Sequence, residues 1–267
     1  MLKDITLGQY FPGDTIVHRL DPRTKLLITV IYIVGLFVAG GYISYLLSFL
    51  VLAACMYAAG INPKAALKGL KPVFVIIIIT GVLNLFYTQG EPLVEFWIFK
   101  ISREGIRRAI LMISRIIMLI TGTFMLTYTT SPMALTDGME RLLSPLKKLH
   151  VPVHELSMMM SIALRFIPTL IEETDKIMSA QKARGADFET GKLAERAKAL
   201  LPLLVPLFVS AFRRADELAV AMECRCYHGG EGRTRMNALV WHGRDTVAML
   251  LAAVFLGAVI ALRMLGL

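Results

Sequence analysis

Five long apolar runs constrain this chain more than any other feature of its sequence. Each carries few charged residues or none and is close to the length that crosses a bilayer as a helix. In lipid, every backbone N–H and C=O must find a partner within the protein, which favours helices over open strands. We therefore predict an all-α integral membrane protein with about five transmembrane helices. The predicted spans are Leu26–Ala39, Ile43–Ala59, Pro72–Tyr87, Ala109–Tyr128 and Thr246–Leu265.

The composition agrees with a membrane location. Of the 267 residues, 56% are hydrophobic and only 18% are charged, and the mean hydropathy of +0.62 is far above that of a soluble domain. The net charge is +9, but the basic residues avoid the longest apolar runs and lie in the connections. Basic connections are typical of loops at the anionic cytoplasmic leaflet. We therefore expect contact with the lipid bilayer and no role in nucleic-acid binding.

The distribution of basic residues also predicts the orientation of the chain. The amino-terminal segment and the second turn are basic, whereas the first turn, at Gly40 and Gly41, is uncharged. These basic residues are Lys3, Arg19, Arg23, Lys25, Lys64, Lys68 and Lys71. The amino terminus, where we expect no signal peptide, is thus predicted in the cytoplasm and the carboxyl terminus outside. The connection at 88–108 then falls outside although it holds Lys100, Arg103, Arg107 and Arg108, against the rule.

A polar insert separates the fourth span from the last one. We divide the chain into transmembrane helices 1 to 4 at residues 1–128, a cytoplasmic and interfacial domain at 129–245, and the last span at 246–267. The insert holds more than half of the chain's 29 Lys and Arg residues. Its pattern predicts three helices: Pro132–Leu149, Val153–Arg184 with a stop at Gly185, and a third from about Lys192. The apolar run Ala199–Phe212 in the third helix is expected at the cytoplasmic membrane face.

A repeated segment is the most informative feature of the insert. The segment from Ile171 to Gly185 matches the segment from Phe212 to Cys226, with a shift of 41 positions between Arg184 and Arg225. In both segments an apolar run leads through charged residues to an arginine flanked by small residues. This pattern indicates one structural part made twice. The alternative is two arginines that cap helix ends, where they complement the helix dipole, with a coincidental spacing.

Residues that could support catalysis are few. The chain has no phosphate-binding loop with lysine, and His154 and Glu155 are not followed by the second histidine of a zinc peptidase helix. Cys224 and Cys226 could form a metal or redox pair, but no other ligand cluster lies near them in the sequence. Arg115, within the fourth predicted span, is the intramembrane charge that we single out, and a contact with a neighbouring helix, such as one to Asn84, is its simplest role. We predict no enzyme activity, no metal site and no cofactor.

Methionines lie together in the apolar half of the second predicted helix of the insert. Met158, Met159 and Met160 are consecutive, and Met133 and Met139 are in the preceding helix. Flexible and polarisable side chains suit surfaces that accept several partners. The alternative is an ordinary core or lipid-facing stripe.

These residues resemble a known family, the transmembrane T component of energy-coupling factor transporters, which are vitamin and metal importers of the ABC superfamily in prokaryotic cell membranes. The resemblance covers nearly the whole chain. Its general parts are Asp21–Arg23, Ser102–Gly105 and Thr130–Pro132. Its most specific parts are Ala163–Pro168, which reads Ala-Leu-Arg-Phe-Ile-Pro, and Gln181–Gly185, which ends in Ala-Arg-Gly.

The resemblance implies a coupling function without catalysis. In that family two small-Arg-small motifs end crossing helices and insert into grooves on two cytoplasmic ABC-type ATPase subunits. By position, these motifs are Ala183, Arg184 and Gly185, and Cys224, Arg225 and Cys226. Cysteines stand here where the family has alanine and glycine. A membrane-embedded substrate-binding S subunit, possible in several exchangeable forms, would contact the insert, and we expect it at Met158, Met159, Met160, Leu203 and Leu207.

Two other classes of protein compete with this interpretation. A self-contained secondary transporter should show inverted repeats of spans with broken helices and charges at the midplane. The repeat in this chain lies in the insert instead. An intramembrane enzyme would need paired titratable groups within its spans, and these are almost absent from the sequence.

Overall fold

Helices make up most of the computed structural model, which describes residues 10–87, 92–96, 99–186, 188, 193–229 and 238–266. The described helices are α1 (Pro22–Val38), α2 (Tyr42–Ala59), α3 (Pro63–Leu70), α4 (Phe74–Tyr87), α5 (Arg103–Thr129), α6 (Pro132–Leu143), α7 (Val153–Ala183), α8 (Leu193–Cys224) and α9 (Gly243–Met264). Short 3₁₀ turns, Lys71–Val73 and Ser144–Leu149, join α3 to α4 and follow α6. The predicted helical fold class is confirmed.

Side-chain caps set where several of these helices begin. The Asp21 carboxylate accepts a hydrogen bond from Arg23 N at 2.9 Å, and Asn62 accepts one from Lys64 N at 3.2 Å, each just before a proline in the first turn. Ser102 Oγ likewise accepts from Gly105 N at 2.9 Å at the start of α5. The sequence interpretation missed the caps at Asn62 and Ser102, so α3 and α5 begin earlier than the predicted spans.

Four described helical segments are long and apolar enough to cross a membrane. They are Tyr42–Ala59, the continuous Pro63–Tyr87, Arg103–Thr129 and Gly243–Met264. The first predicted span lies in α1, which has 17 residues and is at the short end of the spanning range. The early start of the segment Pro63–Tyr87 also places Lys64, Lys68 and Lys71 on helical turns, where we had expected a loop.

The chain divides into two compact units. Within the described residues, the insert unit is Met139–Ala238, and the bundle unit is Gly8–Gly138 together with Leu239–Leu267. The insert unit holds α7 and α8, and the bundle unit holds α1 to α5 and α9.

Close contacts at glycine hold the bundle unit together. A Cβ atom on Gly35 of α1 would lie 2.7 Å from the Phe255 ring of α9, and one on Gly122 of α5 would lie 2.7 Å from the Tyr32 ring. The Tyr32 and Phe255 rings stack with centroids 5.7 Å apart. Small residues at helix contacts allow backbones to approach closely, which is how helices associate without a hydrophobic driving force in lipid.

A buried polar network joins three helix ends in the bundle unit. Asp245, at the start of α9, is 1% exposed and accepts a hydrogen bond from Asp21 N at 2.8 Å. Lys25 Nζ donates to the carbonyls of His18 at 2.9 Å and Thr129 at 2.7 Å. The starts of α1 and α9 and the end of α5 therefore meet at one end of the bundle.

A two-stranded antiparallel hairpin lies between α4 and α5. Its strands are β1 (Pro92–Phe96) and β2 (Phe99–Ser102), with Phe96 opposite Phe99. The sequence interpretation treated 88–108 as a connection and did not predict strands there.

Candidate functional site

The candidate site is built on the two long helices of the insert unit. α7 has 31 residues and α8 has 32, so that each reaches about 46 to 48 Å at 1.5 Å per residue. The predicted second helix of the insert is confirmed to within one residue at its end. The third begins at Leu193 and runs through Pro202 and Pro206 without a break.

Polar contacts fix how α7 and α8 meet. Glu173 of α7 accepts hydrogen bonds from the Ser210 hydroxyl and from Arg214 Nη2, the latter at 3.0 Å. Further along α7, Gln181 Nε2 makes a long contact of 3.5 Å with the Pro202 carbonyl. Pro206 has no N–H for that carbonyl, which is four residues earlier, so Gln181 partly replaces the missing helical hydrogen bond. Later residues of α7 meet earlier residues of α8, and the two helices are therefore antiparallel at their contact.

The contact at Glu173 and Arg214 lies at matching positions of the repeat. These residues are 41 apart in sequence, and the motif arginines Arg184 and Arg225 are separated by the same 41 positions. Each motif arginine therefore follows its own contact residue by 11 positions. A contact between equivalent positions of an antiparallel pair is the arrangement expected of two copies related by a local two-fold axis near this ion pair. We call Glu173, Ser210 and Arg214 the crossing cluster.

The electrostatics of the crossing cluster favour an ionised carboxylate. The hydrogen bond from Ser210, together with the charge and hydrogen bond of Arg214, lowers the pKa of Glu173 below its ordinary value. Arg214 Nε is buried and has no hydrogen-bond partner within the described residues. Removing Glu173 would therefore leave a partly buried guanidinium without the carboxylate that balances it.

The first motif ends α7 in a Schellman turn. Ala183 is the last helical residue and Arg184 is the C-cap. Gly185 N donates to the Lys182 carbonyl at 3.0 Å, and Ala186 N donates to the Gln181 carbonyl at 3.0 Å. Gly185 has φ +87°, a left-handed conformation that a residue without Cβ adopts without strain. The predicted stop at Gly185 is confirmed.

The second motif ends α8 in the same turn. Cys224 is the last helical residue; Cys226 N donates to the Glu223 carbonyl at 2.8 Å, and Tyr227 N donates to the Met222 carbonyl at 3.0 Å. Cys226 has φ +55° and occupies the position of Gly185 in the first copy. A side chain in this conformation costs about 1 kcal/mol. The repeat thus extends from the sequence to the backbone hydrogen bonds.

Both motifs present an arginine at an exposed helix tip. Ala183, Arg184, Gly185, Cys224, Arg225 and Cys226 are all exposed. A guanidinium has five N–H donors in a planar fork, and it can bind carboxylates or backbone carbonyls in a groove. Small neighbours let the surface of a partner approach closely. This chemistry suits docking.

The cysteines and histidines do not form a metal centre within the part of the chain that the structure describes. Cys55, Cys224 and Cys226 form no disulfide with another described residue. His154 Nδ1 lies 3.1 Å from Glu140 Oε1, across the turn between α6 and α7. In the bundle unit, the contact partners of Arg115 are the Ala39 carbonyl, at 3.2 Å, and two aromatic rings.

The residues expected to contact the S subunit differ in how far their side chains are exposed. Met159 and Met160 are exposed, and Met158 and Leu207 are half-buried. Leu203 is only 5% exposed, so that its side chain is not available on the surface of this structure. The exposed apolar face of α8 consists instead of Leu201, Leu204, Val205, Phe208 and Phe212. We call these five residues the apolar face of α8.

Sequence reasoning also missed the crossing cluster. The signal was present, because the shift of 41 that aligns the arginines also aligns Glu173 with Arg214. When two copies of a repeat contact each other at equivalent positions, opposite charges at those positions attract. Our interpretation used the alignment only to identify the motifs.

A family model and several known proteins are similar to this chain over most of its length. The family model CbiQ, described as cobalt transport protein, matches residues 13–236. The energy-coupling factor transporter transmembrane protein EcfT of Clostridium kluyveri is 54% identical over 256 residues, which cover 95% of each chain. Its namesake from Thermosediminibacter oceani is 53% identical over 249 residues, 93% of this chain and 94% of the relative. The EcfT protein of Bacillus subtilis is 50% identical over 247 residues, 92% of this chain and 93% of the relative.

Proposed function

The chain belongs to the CbiQ family, among the EcfT transmembrane components of energy-coupling factor transporters, and on this premise we propose that it couples two cytoplasmic ATPase subunits to a substrate-binding membrane subunit. In this proposal the ATPases hydrolyse ATP, and the chain itself is not an enzyme. Its insert unit transmits their movement so that the S subunit reorients and releases a vitamin or a metal ion into the cell.

The equivalence of the two arginine tips is the observation that carries this proposal. Both tips end long helices in the same Schellman turn, and both arginines follow the crossing cluster by 11 residues. Two equivalent tips, one on each side of the crossing cluster, suit two equivalent grooves, as a pair of ABC-type ATPases would offer. Arg184 and Arg225 would donate to acidic or carbonyl groups in those grooves, one per ATPase.

The crossing cluster would make the two tips move together. An ATPase pair that closes on ATP displaces both tips, and α7 and α8 are joined where Glu173 meets Arg214. A pair of stiff helices held at one point converts displacement at the tips into tilt elsewhere along the helices. The work of ATP binding would thus reach a distant surface without unfolding either helix.

The S subunit would rest on the apolar face of α8 and on Met159 and Met160. These residues are exposed, apolar and free of charge, and such a surface must be covered by lipid or by another protein. Methionines adapt to different partners, which fits S subunits that exchange on one coupling chain. Leu203 is not assigned to this surface because its side chain is buried.

The topology that we propose has the amino terminus in the cytoplasm and the carboxyl terminus outside. It rests on the basic residues near the start of α1 and on α3. The polar network at Asp245 supports it in part, since the starts of α1 and α9 and the end of α5 lie at the same end of the bundle. The segment at 129–245 would then be cytoplasmic.

The proposal is tested by reversing the charge of both tips. In the double variant Arg184→Glu/Arg225→Glu, we expect normal membrane insertion but loss of the ATPase subunits that co-purify with the wild type. The matched control is Arg165→Glu/Arg213→Glu, which reverses two exposed charges on the same helices away from the tips. Co-purification that survives in the tip variant would contradict the proposal.

A further inference from the structure

Three arginines surround the turn between α1 and α2 in the bundle unit. Arg107 and Arg115 come from α5, and Arg263 comes from the last turn of α9. We call them the turn arginines. Coupling to ATPases does not explain the role of the turn arginines. Arg107 lies in the connection at 88–108, which is basic although the predicted orientation places it outside the cell.

Two of the turn arginines bind adjacent carbonyl groups. Arg263 Nη1 donates to the Val38 carbonyl at 3.3 Å, and Arg115 Nη2 donates to the Ala39 carbonyl at 3.2 Å. These carbonyls lie at the carboxyl end of α1, where the helix dipole attracts cations. The two guanidinium groups are therefore neighbours, and each uses only one of its five donors in these bonds.

Aromatic rings complete the surroundings of the turn arginines. The Arg107 guanidinium lies 5.1 Å from the centroid of the Tyr42 ring, and that of Arg115 lies 5.8 Å from the Phe37 ring and 5.6 Å from the Tyr45 ring. Tyrosine rings at the ends of apolar helices are typical of the level of the lipid headgroups. Tyr42 is the first residue of α2 and its ring is exposed, whereas Tyr45 is buried, so Tyr42 is the ring that suggests the headgroup level for this cluster.

No described carboxylate balances the positive charge of the turn arginines. None of the turn arginines forms an ion pair with a carboxylate within the part of the chain whose side chains are described. Arg115 Nε is buried and has no hydrogen-bond partner in that part. At the opposite end of α1, by contrast, Arg23 pairs with Asp21 at 2.7 Å. Among the described side chains the three guanidinium groups thus lack a counter-ion, and beside apolar helices this arrangement favours an anion from outside the chain.

We propose that the turn arginines bind the phosphate of an anionic phospholipid. A phosphodiester offers oxygens that accept bidentate hydrogen bonds from guanidinium groups, and its acyl chains would cover the apolar sides of α1, α5 and α9. A zwitterionic lipid is a weaker ligand, because its cationic headgroup would approach three positive charges. The bound lipid also accounts for basic residues at an end of the bundle where the positive-inside rule does not expect them.

Native mass spectrometry of the full-length chain, purified with the subunits that accompany it, tests this proposal. The protein is exposed to an equimolar mixture of phosphatidylglycerol and phosphatidylcholine, and the lipids that remain bound are counted. We expect a preference for phosphatidylglycerol in the wild type. In Arg107→Gln/Arg263→Gln that preference should fall roughly 30-fold, since each of the two basic residues contributes about one kcal/mol of attraction to anionic lipid and every 1.4 kcal/mol is a factor of ten. Both residues are exposed, so the variant should fold.

The matched control is Arg103→Gln/Arg108→Gln, which removes two exposed charges from the same end of α5. It should keep the preference of the wild type. An equal loss of the lipid preference in the control would overturn the proposal, because the preference would then depend on the total positive charge at this end of α5 and not on the turn arginines. Equal retention of both lipids by the wild type would overturn it as well. So would displacement of the bound lipid by excess inorganic phosphate, which would indicate a site for the free anion.

Discussion

Reversal of the charge at Glu173 is the perturbation that examines the coupling mechanism most closely. In the variant Glu173→Arg, the partly exposed ion pair with Arg214 is lost, which costs at most about 1 kcal/mol. The hydrogen bond from Ser210 to a charged acceptor is also lost, which costs about 1.5–3 kcal/mol. A total loss of about 2 kcal/mol lowers roughly 30-fold the ratio of molecules in which α7 and α8 are in contact at the crossing cluster to molecules in which this contact is broken.

The geometry of the helices amplifies this local loss. Each arginine tip is 11 residues beyond the crossing cluster, or about 16 Å along the helix axis. A tilt of about 10° at the crossing would move a tip by about 3 Å, which is the length of one hydrogen bond. We therefore expect ATPases that still bind to single tips but no longer move both tips together.

The assay measures ATP hydrolysis and substrate uptake on the same proteoliposomes. Glu173→Arg should lower uptake per ATP at least about fivefold, and Glu173→Arg/Arg214→Glu should recover most of it, because the reversed pair can form again. Glu172→Arg makes the same charge change at an exposed neighbouring position and should behave like the wild type. The reasoning is refuted if Glu173→Arg couples normally, or if the double reversal restores thermal stability without restoring uptake per ATP.

Three further predictions follow from the local structure. The lowered pKa of Glu173 means that its stabilisation is complete above the ordinary pKa of 4.5 and is lost as pH falls through the lower folded value; the melting temperatures of wild type and Glu173→Gln should therefore converge in acid. Gly185→Ala should cost about 1 kcal/mol at the left-handed φ of +87°, whereas Cys226→Gly should slow amide exchange in the last turn of α8. Gly122→Ala should destabilise the bundle by about 1–3 kcal/mol, because its Cβ would lie 2.7 Å from an aromatic ring, whereas Gly257→Ala, with no atom within 4 Å, should not lower the melting temperature.

The helices of this chain follow from local patterns in its sequence. Apolar runs of spanning length and the Gly185 stop predicted α7 and four of the apolar helical segments closely, because bilayer thickness and capping are local constraints. Helix starts were less accurate, since Asn62 and Ser102 were not recognised as caps. The hairpin at 92–102 was missed because its strands have only five and four residues, too few for their pattern to be told from that of a loop.

The candidate site was only partly predictable. The repeat identified Arg184 and Arg225, and their placement in identical turns follows from small residues after each helix. The ion pair between Glu173 and Arg214 was not predicted, because antiparallel contact between two helices is a tertiary property. Likewise, only the packed structure distinguishes buried Leu203 from the exposed side chains on either side of it.

Photo-cross-linking from both helix tips in living cells tests the central claim most directly. A photoreactive residue replaces Ala183 or Cys224, each beside a motif arginine, and Ser179, an exposed residue one turn before Arg184, serves as the control position. We predict that irradiation joins each tip to a nucleotide-binding subunit and that the control position gives far less product. Tips that cross-link only to lipid, or one tip that never reaches an ATPase, would contradict the account.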